Sequence, residues 1–162
     1  MPLGNWTSQF LANVYLNELD QYIKHELKAK YYIRYVDDFV ILHKSPNQLA
    51  QWQTRIDSFL QMKLALLLHP QKCKIVPLSR GVGFLGFRIF KHHKLVRSRN
   101  LRKIRKNLRR LIIKQHTGIL SANEVLQRLQ AWNAYAMQGN TYKLREKLKQ
   151  ETEKQLCTSR FM

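Results

Sequence analysis

Apolar residues recur along the first third of the chain at Phe10, Leu11, Val14, Leu19, Tyr22, Ile23 and Leu27, with the period of a helix. The preceding stretch, Pro2-Leu3-Gly4-Asn5-Trp6-Thr7-Ser8-Gln9, predicts a turn in which Gly4 permits a sharp bend and Thr7 or Ser8 caps the helix. At Tyr31 the pattern switches to β-branched and aromatic residues, Tyr31-Tyr-Ile-Arg-Tyr-Val-Asp-Asp-Phe-Val-Ile-Leu-His43. This predicts a hairpin, with strands at about 31–36 and about 39–43 and a tight turn at Asp37 and Asp38. Ser45-Pro46 opens a second helix with Pro at its first position, and Leu49, Trp52, Ile56, Phe59 and Leu60 carry it to about Met62. From Leu64 to Val76 the pattern predicts a short buried strand, a turn at His69-Pro70 and a second strand.

Gly81-Val-Gly-Phe-Leu-Gly-Phe-Arg-Ile-Phe90 predicts a hairpin in which glycines allow another backbone to approach closely. Leu101, Ile104, Leu108, Leu111 and Ile112 then form the apolar stripe of a helix ending before Gly118. Ser121-Ala-Asn-Glu124 has the form of a capping box and opens a helix through Val125, Leu126, Leu129, Trp132 and Tyr135. Gly139-Asn140-Thr141 breaks it, and Tyr142, Leu144 and Leu148 carry a third, expected to fray from about Gln155. The fold class is α+β: a small antiparallel sheet with two helices on one face, then a helical region. The change of character places a division at about 94–98, with domains at 1–95 and 96–162.

Charge sharpens this picture. Lys and Arg number 29 against 10 Asp and Glu, a net +19 that exceeds what solubility requires and points to a polyanionic partner. No acid occurs between Asp57 and Glu124. Arg99, Arg102, Lys103, Arg105, Lys106, Arg109 and Arg110 cover the polar faces of the helix that starts near residue 98, a run better explained by phosphates than by solvation alone. A membrane surface also attracts such charge. The interleaved aromatics, however, fit stacking on nucleotides, and no apolar run approaches the ~18 residues of a span. The N-terminus lacks the basic and apolar regions of a signal peptide. Cys73 and Cys157 have no metal-type spacing, so free thiols in a reducing, cytoplasmic setting are expected. His69 has no partner visible in the sequence and reads as structural.

The acid pair is the most informative feature. Asp tolerates turn geometry, so a polar loop tip is the plain reading. Gly or Asn is the cheaper choice, however, and two adjacent carboxylates repel unless a cation sits beside them. Two divalent ions roughly 3.5–4 Å apart, bridged by carboxylates and phosphate oxygens, meet that need.

Tyr35-Val36-Asp37-Asp38 resembles the Tyr-x-Asp-Asp box of reverse transcriptases, and the flanking segments resemble neighbouring motifs of that family in order. Residues 3–9 resemble motif B, whose turn and helix line the pocket for template base and incoming nucleotide. The resemblance assigns Leu3, Gly4, Ser8, Gln9 and Tyr35 to that pocket. Many retroviral and intron enzymes carry Gln-Gly-x-x-x-Ser-Pro, whereas Leu before the Gly and Gln after the Ser resemble the enzymes of diversity-generating retroelements and related bacterial groups. Taken whole, the chain resembles most the diversity-generating retroelement and group II intron-like types. Leu3 cannot hydrogen-bond as Gln would, which implies loose base selection. Lys72 occupies the place of the motif D cation, implying a general acid for pyrophosphate, although alone it reads as a surface lysine. Phe84-Leu85-Gly86-Phe87 resembles the primer grip, and the terminal helices a thumb, with Asn133–Arg145 similar to bacterial thumbs.

The resemblance implies Mg²⁺, or Mn²⁺, held by Asp37 and Asp38. The implied partners are an RNA template, a DNA or RNA primer, dNTPs and a retroelement accessory protein, with no membrane. It also implies a further aspartate from motif A, on a strand before motif B. Glu18, Asp20 and Glu26 lie instead on the motif B helix. The expectation is therefore a palm-and-thumb portion of a longer RNA-directed DNA polymerase, catalytically incomplete alone. The alternative is a non-catalytic RNA-binding module descended from one. The acid pair favours the first, since a pure binder has no use for it.

Overall fold

A computed structural model describes residues 6–158. Packing divides the chain into two compact units, Met1–Val76 and Pro77–Met162.

The first unit is built on leucine and isoleucine spacing. Helix α1 (Trp6–Tyr15) is followed by a short α2 (Asn17–Gln21) and a π-helical turn at Tyr22–Glu26. Thr7 and Ser8 lie inside α1 rather than capping it. Leu19, Ile23 and Leu27, each one turn apart, are buried, whereas Phe10, Leu11 and Val14 remain exposed. The apolar stripe expected along the whole stretch therefore enters the core only in its second half.

Strands β1 (Tyr31–Tyr35) and β2 (Asp38–Leu42) pair antiparallel, Tyr31 opposite Leu42 and Tyr35 opposite Asp38. Alternation directs Tyr32, Arg34, Phe39 and Ile41 to one face, where Tyr32, Phe39 and Ile41 pack on the core. Helix α3 (Pro46–Leu64) starts where Ser45 and Pro46 predict, with Ser45 Oγ accepting from the Gln48 amide at 3.4 Å. Trp52, Ile56, Leu60 and Leu64 form its buried stripe against Leu19, Ile23 and Leu27. Tyr22 stacks on Phe59 with ring centroids 4.2 Å apart.

The two strands expected between Leu64 and Val76 do not form. Ala65 turns left-handed (φ 48°) to end α3, and the Leu68 amide is satisfied by Asp57 Oδ1 at 3.3 Å. A strand needs a neighbour for its ladder, and no described strand pairs here.

The second unit joins a sheet to three helices. Strands β3 (Val82–Phe84), β4 (Phe87–Ile89) and β5 (Lys94–Val96) form a meander, and β5 lies at the division placed at about 94–98, where no strand is expected. The basic residues around it, Lys91, Lys94 and Arg97, hide a strand that the register with β4 recruits, Arg88 opposite Leu95. By packing, this sheet belongs with the helices that follow it. Helices α4 (Ser98–His116), α5 (Ala122–Ala136) and α6 (Tyr142–Thr158) enclose Leu108, Leu129 and Leu148, with Ile112, Val125 and Leu156 forming a second cluster. The Ser121 capping box is present in both halves, and the amide hydrogen bond of Ser121 holds the Glu124 carboxyl below its usual range. Past Gln155, where fraying is expected to begin, α6 continues to Thr158 with Leu156 buried, and residues 159–162 lie outside the described residues. Cys73 and Cys157 are free, and burial, followed by the Asp57 charge, pushes the Cys73 thiol up.

Candidate active site

In the first unit the acid pair sits at the hairpin end, shifted by one residue from the expected turn. Val36 and Asp37 form the two-residue turn, and Asp38 is already the first residue of β2. Both carboxylates are exposed. Among the described residues neither forms an ion pair, although the chain is strongly basic. Tyr35, opposite Asp38, is also exposed and adjoins the acid on the outer sheet face.

The turn is strained where no strain is expected. Val36 is left-handed with φ 55°, a conformation that crowds a β-branched side chain. Such a residue persists when its surroundings over-determine it, and Arg34 supplies the constraint. Its Nη1 donates to the Val36 carbonyl at 2.7 Å and to Asn13 Oδ1 at 2.9 Å. Its Nε and Nη2 donate to the two oxygens of Asp20 at 2.8 and 2.6 Å, and Tyr32 Oη donates to Asp20 at 2.6 Å.

The Arg34 and Asp20 side chains are only 10% and 19% exposed, so this bidentate pair is sheltered from solvent screening. Burial pushes the Asp20 carboxyl up, but the hydrogen bonds from Arg34 and Tyr32 and the charges of Arg34 and Lys24 outweigh it, leaving it below the ordinary value. The hydrogen bond to Asp20 raises Arg34, against burial. Burial and then the Asp20 hydrogen bond raise Tyr32. The sequence places Asp20 on the motif B helix, away from the acid pair; in the fold it accepts from the same arginine that donates to the Val36 carbonyl.

In the second unit, Phe84 and Phe87 are buried, and Phe87 packs on Tyr135 with centroids 4.8 Å apart. What the hairpin presents outward is its turn. Leu85 (φ 47°) and Gly86 (φ 83°) are both left-handed, the combination that matches strand twist. The Gly86 carbonyl accepts from the Arg97 amide at 3.0 Å and from Asn100 Nδ2 at 3.3 Å, and Asn100 also donates to Tyr135 Oη at 3.2 Å.

Gly86 borders a cavity of about 620 Å³ that is otherwise lined by Arg97, Arg99, Asn100, Arg102, Lys103 and Lys106. Four of these, Arg99, Arg102, Lys103 and Lys106, were expected from the basic run. Arg97 and Asn100 were not. Arg97 lies two residues before that run, a signal that could have included it, whereas Asn100 is revealed only by its long-range partners. Arg105, Arg109 and Arg110 lie on α4 outside the cavity lining and are exposed.

The other expected site residues are scattered or lie beyond description. Lys72 lies in an exposed turn, its amide donating to His69 O at 3.1 Å, with no ion pair to Asp37 or Asp38 among the described residues. Ser8 and Gln9 are on α1, while Leu3 and Gly4 lie outside the described residues.

A sequence profile of reverse transcriptases (RNA-dependent DNA polymerases) matches residues 1–89, more than half of the 162. The chain belongs to this reverse transcriptase family. No curated protein matches it. The profile covers the Tyr-x-Asp-Asp turn and the whole β3–β4 hairpin, and stops before β5 and the helices α4, α5 and α6. Reverse transcriptases carry out RNA-directed nucleotidyl transfer and in general use Mg²⁺. The acid turn fits such an ion chemically, since Mg²⁺ takes hard oxygen donors, often one or two carboxylates with water and phosphate oxygens completing the shell. Among the described residues no third His, Cys, Asp or Glu joins the pair.

Proposed function

We propose that this chain is the palm and thumb of an RNA-directed DNA polymerase of bacterial type, nearest to diversity-generating retroelement and group II intron-like enzymes. The palm reaches to about residue 95 and the thumb follows. The observation that carries the reading is the exposed Asp37–Asp38 pair, without a cation partner among the described residues, on a turn whose backbone is held from both sides. A magnesium ion bound there would polarise the primer 3′-hydroxyl and the nucleotide phosphate.

The chain's own residues supply binding and orientation. Asp37 and Asp38 provide hard oxygens at a fixed hairpin end, and exposed Tyr35 offers a ring on which a nucleotide can rest. The Leu85–Gly86 turn and the cations of the adjoining cavity grip strand phosphates. Lys72, on a long side chain in an exposed turn, is the proposed proton donor to pyrophosphate. RNA template, DNA or RNA primer and dNTPs are the proposed partners, with an accessory protein of the retroelement.

Two carboxylates from one turn do not by themselves fix the spacing of two ions, and in-line phosphoryl transfer depends on that preorganisation. The 162 residues alone are therefore expected not to extend a primer. A longer polypeptide that adds a motif A aspartate is expected to do so with Mg²⁺ or Mn²⁺. Labelled-nucleotide incorporation on a primed RNA template tests this, and robust synthesis by the purified 162-residue chain would refute the assignment of the acids.

A further inference from the structure

The turn that carries Asp37 is not self-sufficient. Two-residue hairpin turns usually place Gly or Asn where φ is positive, because a side chain branched at Cβ meets its own backbone there. Val36 occupies that position at φ 55°. The partly buried guanidinium of Arg34, two residues back on β1, reaches the Val36 carbonyl at 2.7 Å. The same guanidinium is fixed at its other edge by both oxygens of Asp20, 14 residues away on α2, and by Asn13 on α1. The carbonyl of Val36 belongs to the peptide plane that leads into Asp37. Holding that oxygen sets the plane, and the plane together with the φ of Asp37 sets the direction in which the Asp37 Cα–Cβ bond leaves the backbone.

We propose that Arg34 is a positioning residue. Anchored by Asp20 and Asn13, it locks Val36 in the left-handed conformation and thereby aims the Asp37 carboxylate at the ion it holds. This rests on the metal-binding reading of the acid turn given above. Arginine suits the task because its planar fork serves a carboxylate and a carbonyl at once. Lysine keeps the charge but presents a single point donor and cannot bridge both. The bracket also ties the turn to the α1–α2 segment, so a displacement of those helices moves the Val36 carbonyl with them.

The test compares the 162-residue chain with Arg34→Lys, Val36→Gly and the double variant. It has two readouts: the three-bond amide-to-α-proton coupling of residue 36, which reports φ, and Mn²⁺ binding followed by relaxation of amides near residues 35–39. In Arg34→Lys, methyl signals of Leu19, Ile23 and Ile56 should stay in place while Val36 leaves its single left-handed conformation. Mn²⁺ affinity should drop roughly 10-fold, as when partners that orient a metal ligand are removed. Glycine enters the left-handed region without help, so the double variant should recover most of the affinity. A role confined to general stability would not be rescued in this way.

If Arg34→Lys loses the core methyl signals, Asp20→Asn gives the same readouts with a smaller change of shape. Unchanged coupling at Val36 and unchanged Mn²⁺ affinity in a folded variant would overturn the proposal. Absence of Mn²⁺ binding by the unaltered chain would refute the metal reading instead, and the Val36 coupling would still decide the clamp.

Discussion

Among the described residues two hairpins close in two residues, and they are held by different means. In the first, Tyr35-Val36-Asp37-Asp38, the left-handed position carries a branched residue and is secured by Arg34 reaching across from Asp20. In the second, Phe84-Leu85-Gly86-Phe87, both central residues are left-handed, glycine takes the second position, and Asn100 with the Arg97 amide holds the carbonyl of Gly86. The first turn exposes two carboxylates; the second borders five cations and no acid. One is suited to cations and the other to phosphates. Gly86 satisfies its backbone by composition, whereas Val36 is maintained by a polar network that would be unnecessary if the turn only joined two strands.

The largest expected effect breaks the phosphate side of this contrast. Changing Arg99, Arg102, Lys103 and Lys106 together to Gln removes four cations from the cavity beside Gly86. The slope of log K against log salt for single-stranded RNA should become shallower by about 3, at roughly 0.7 for each phosphate no longer neutralised. Changing Arg105, Arg109 and Arg110 instead, which lie outside the cavity lining, should alter the slope less. Equal effects per charge in fluorescence anisotropy titrations would mean the cavity has no special role.

The next effect has opposite signs at the two turns. Gly86→Ala should destabilise by roughly 1–3 kcal/mol, because φ is positive and a Cβ would overlap the Tyr135 hydroxyl. Val36→Gly should leave stability unchanged or raise it by up to about 1 kcal/mol, relief of left-handed crowding outweighing the added freedom of the unfolded chain. Urea denaturation of both variants checks the pair of signs. Destabilisation by Val36→Gly comparable to that at Gly86 would remove the contrast.

Several of these elements were legible in the residues. Ser45-Pro46 and Ser121-Ala-Asn-Glu124 announced their helices because capping is local chemistry, resolved within three residues. The acid hairpin was legible from its strand composition, but its register was off by one. Val36 reads as strand, and the bracket that turns it left-handed comes from Asp20 and Asn13, far away in sequence. The segment after Leu64 was misread for the converse reason: its apolar residues favour strand, but no described strand pairs with it. β5 escaped notice because Lys94 and its basic neighbours resemble the helix that follows, and only pairing with β4 makes them a strand. The cations of the cavity were visible as a run, whereas their grouping around Gly86 depends on Asn100 and Tyr135, 35 residues apart.

The smallest effect concerns acid. The Asp20 carboxyl lies below its ordinary value of 3.8 in the folded chain. A depressed carboxyl contributes stability that is fully present above the unfolded value and is lost as pH falls through the folded one. Unfolding free energy should therefore decline below about pH 4, and Asp20→Asn should flatten that part of the curve. Identical acid dependence in the two proteins, followed by denaturant titration, would show that the bracket is not strengthened by ionisation.

The most direct measurement is primer extension by a polypeptide that joins this chain to a motif A aspartate, comparing Asp37 with Asp37→Asn at equal RNA occupancy. Asn keeps the size of the side chain and the shape of the turn but removes the charge that holds a divalent ion. Extension should fall to background while RNA affinity and its salt dependence stay unchanged, since no cation of the second hairpin is altered. Extension by Asp37→Asn at the rate of the unaltered protein would contradict the central claim that the Val36–Asp37 turn is where the catalytic metal is held.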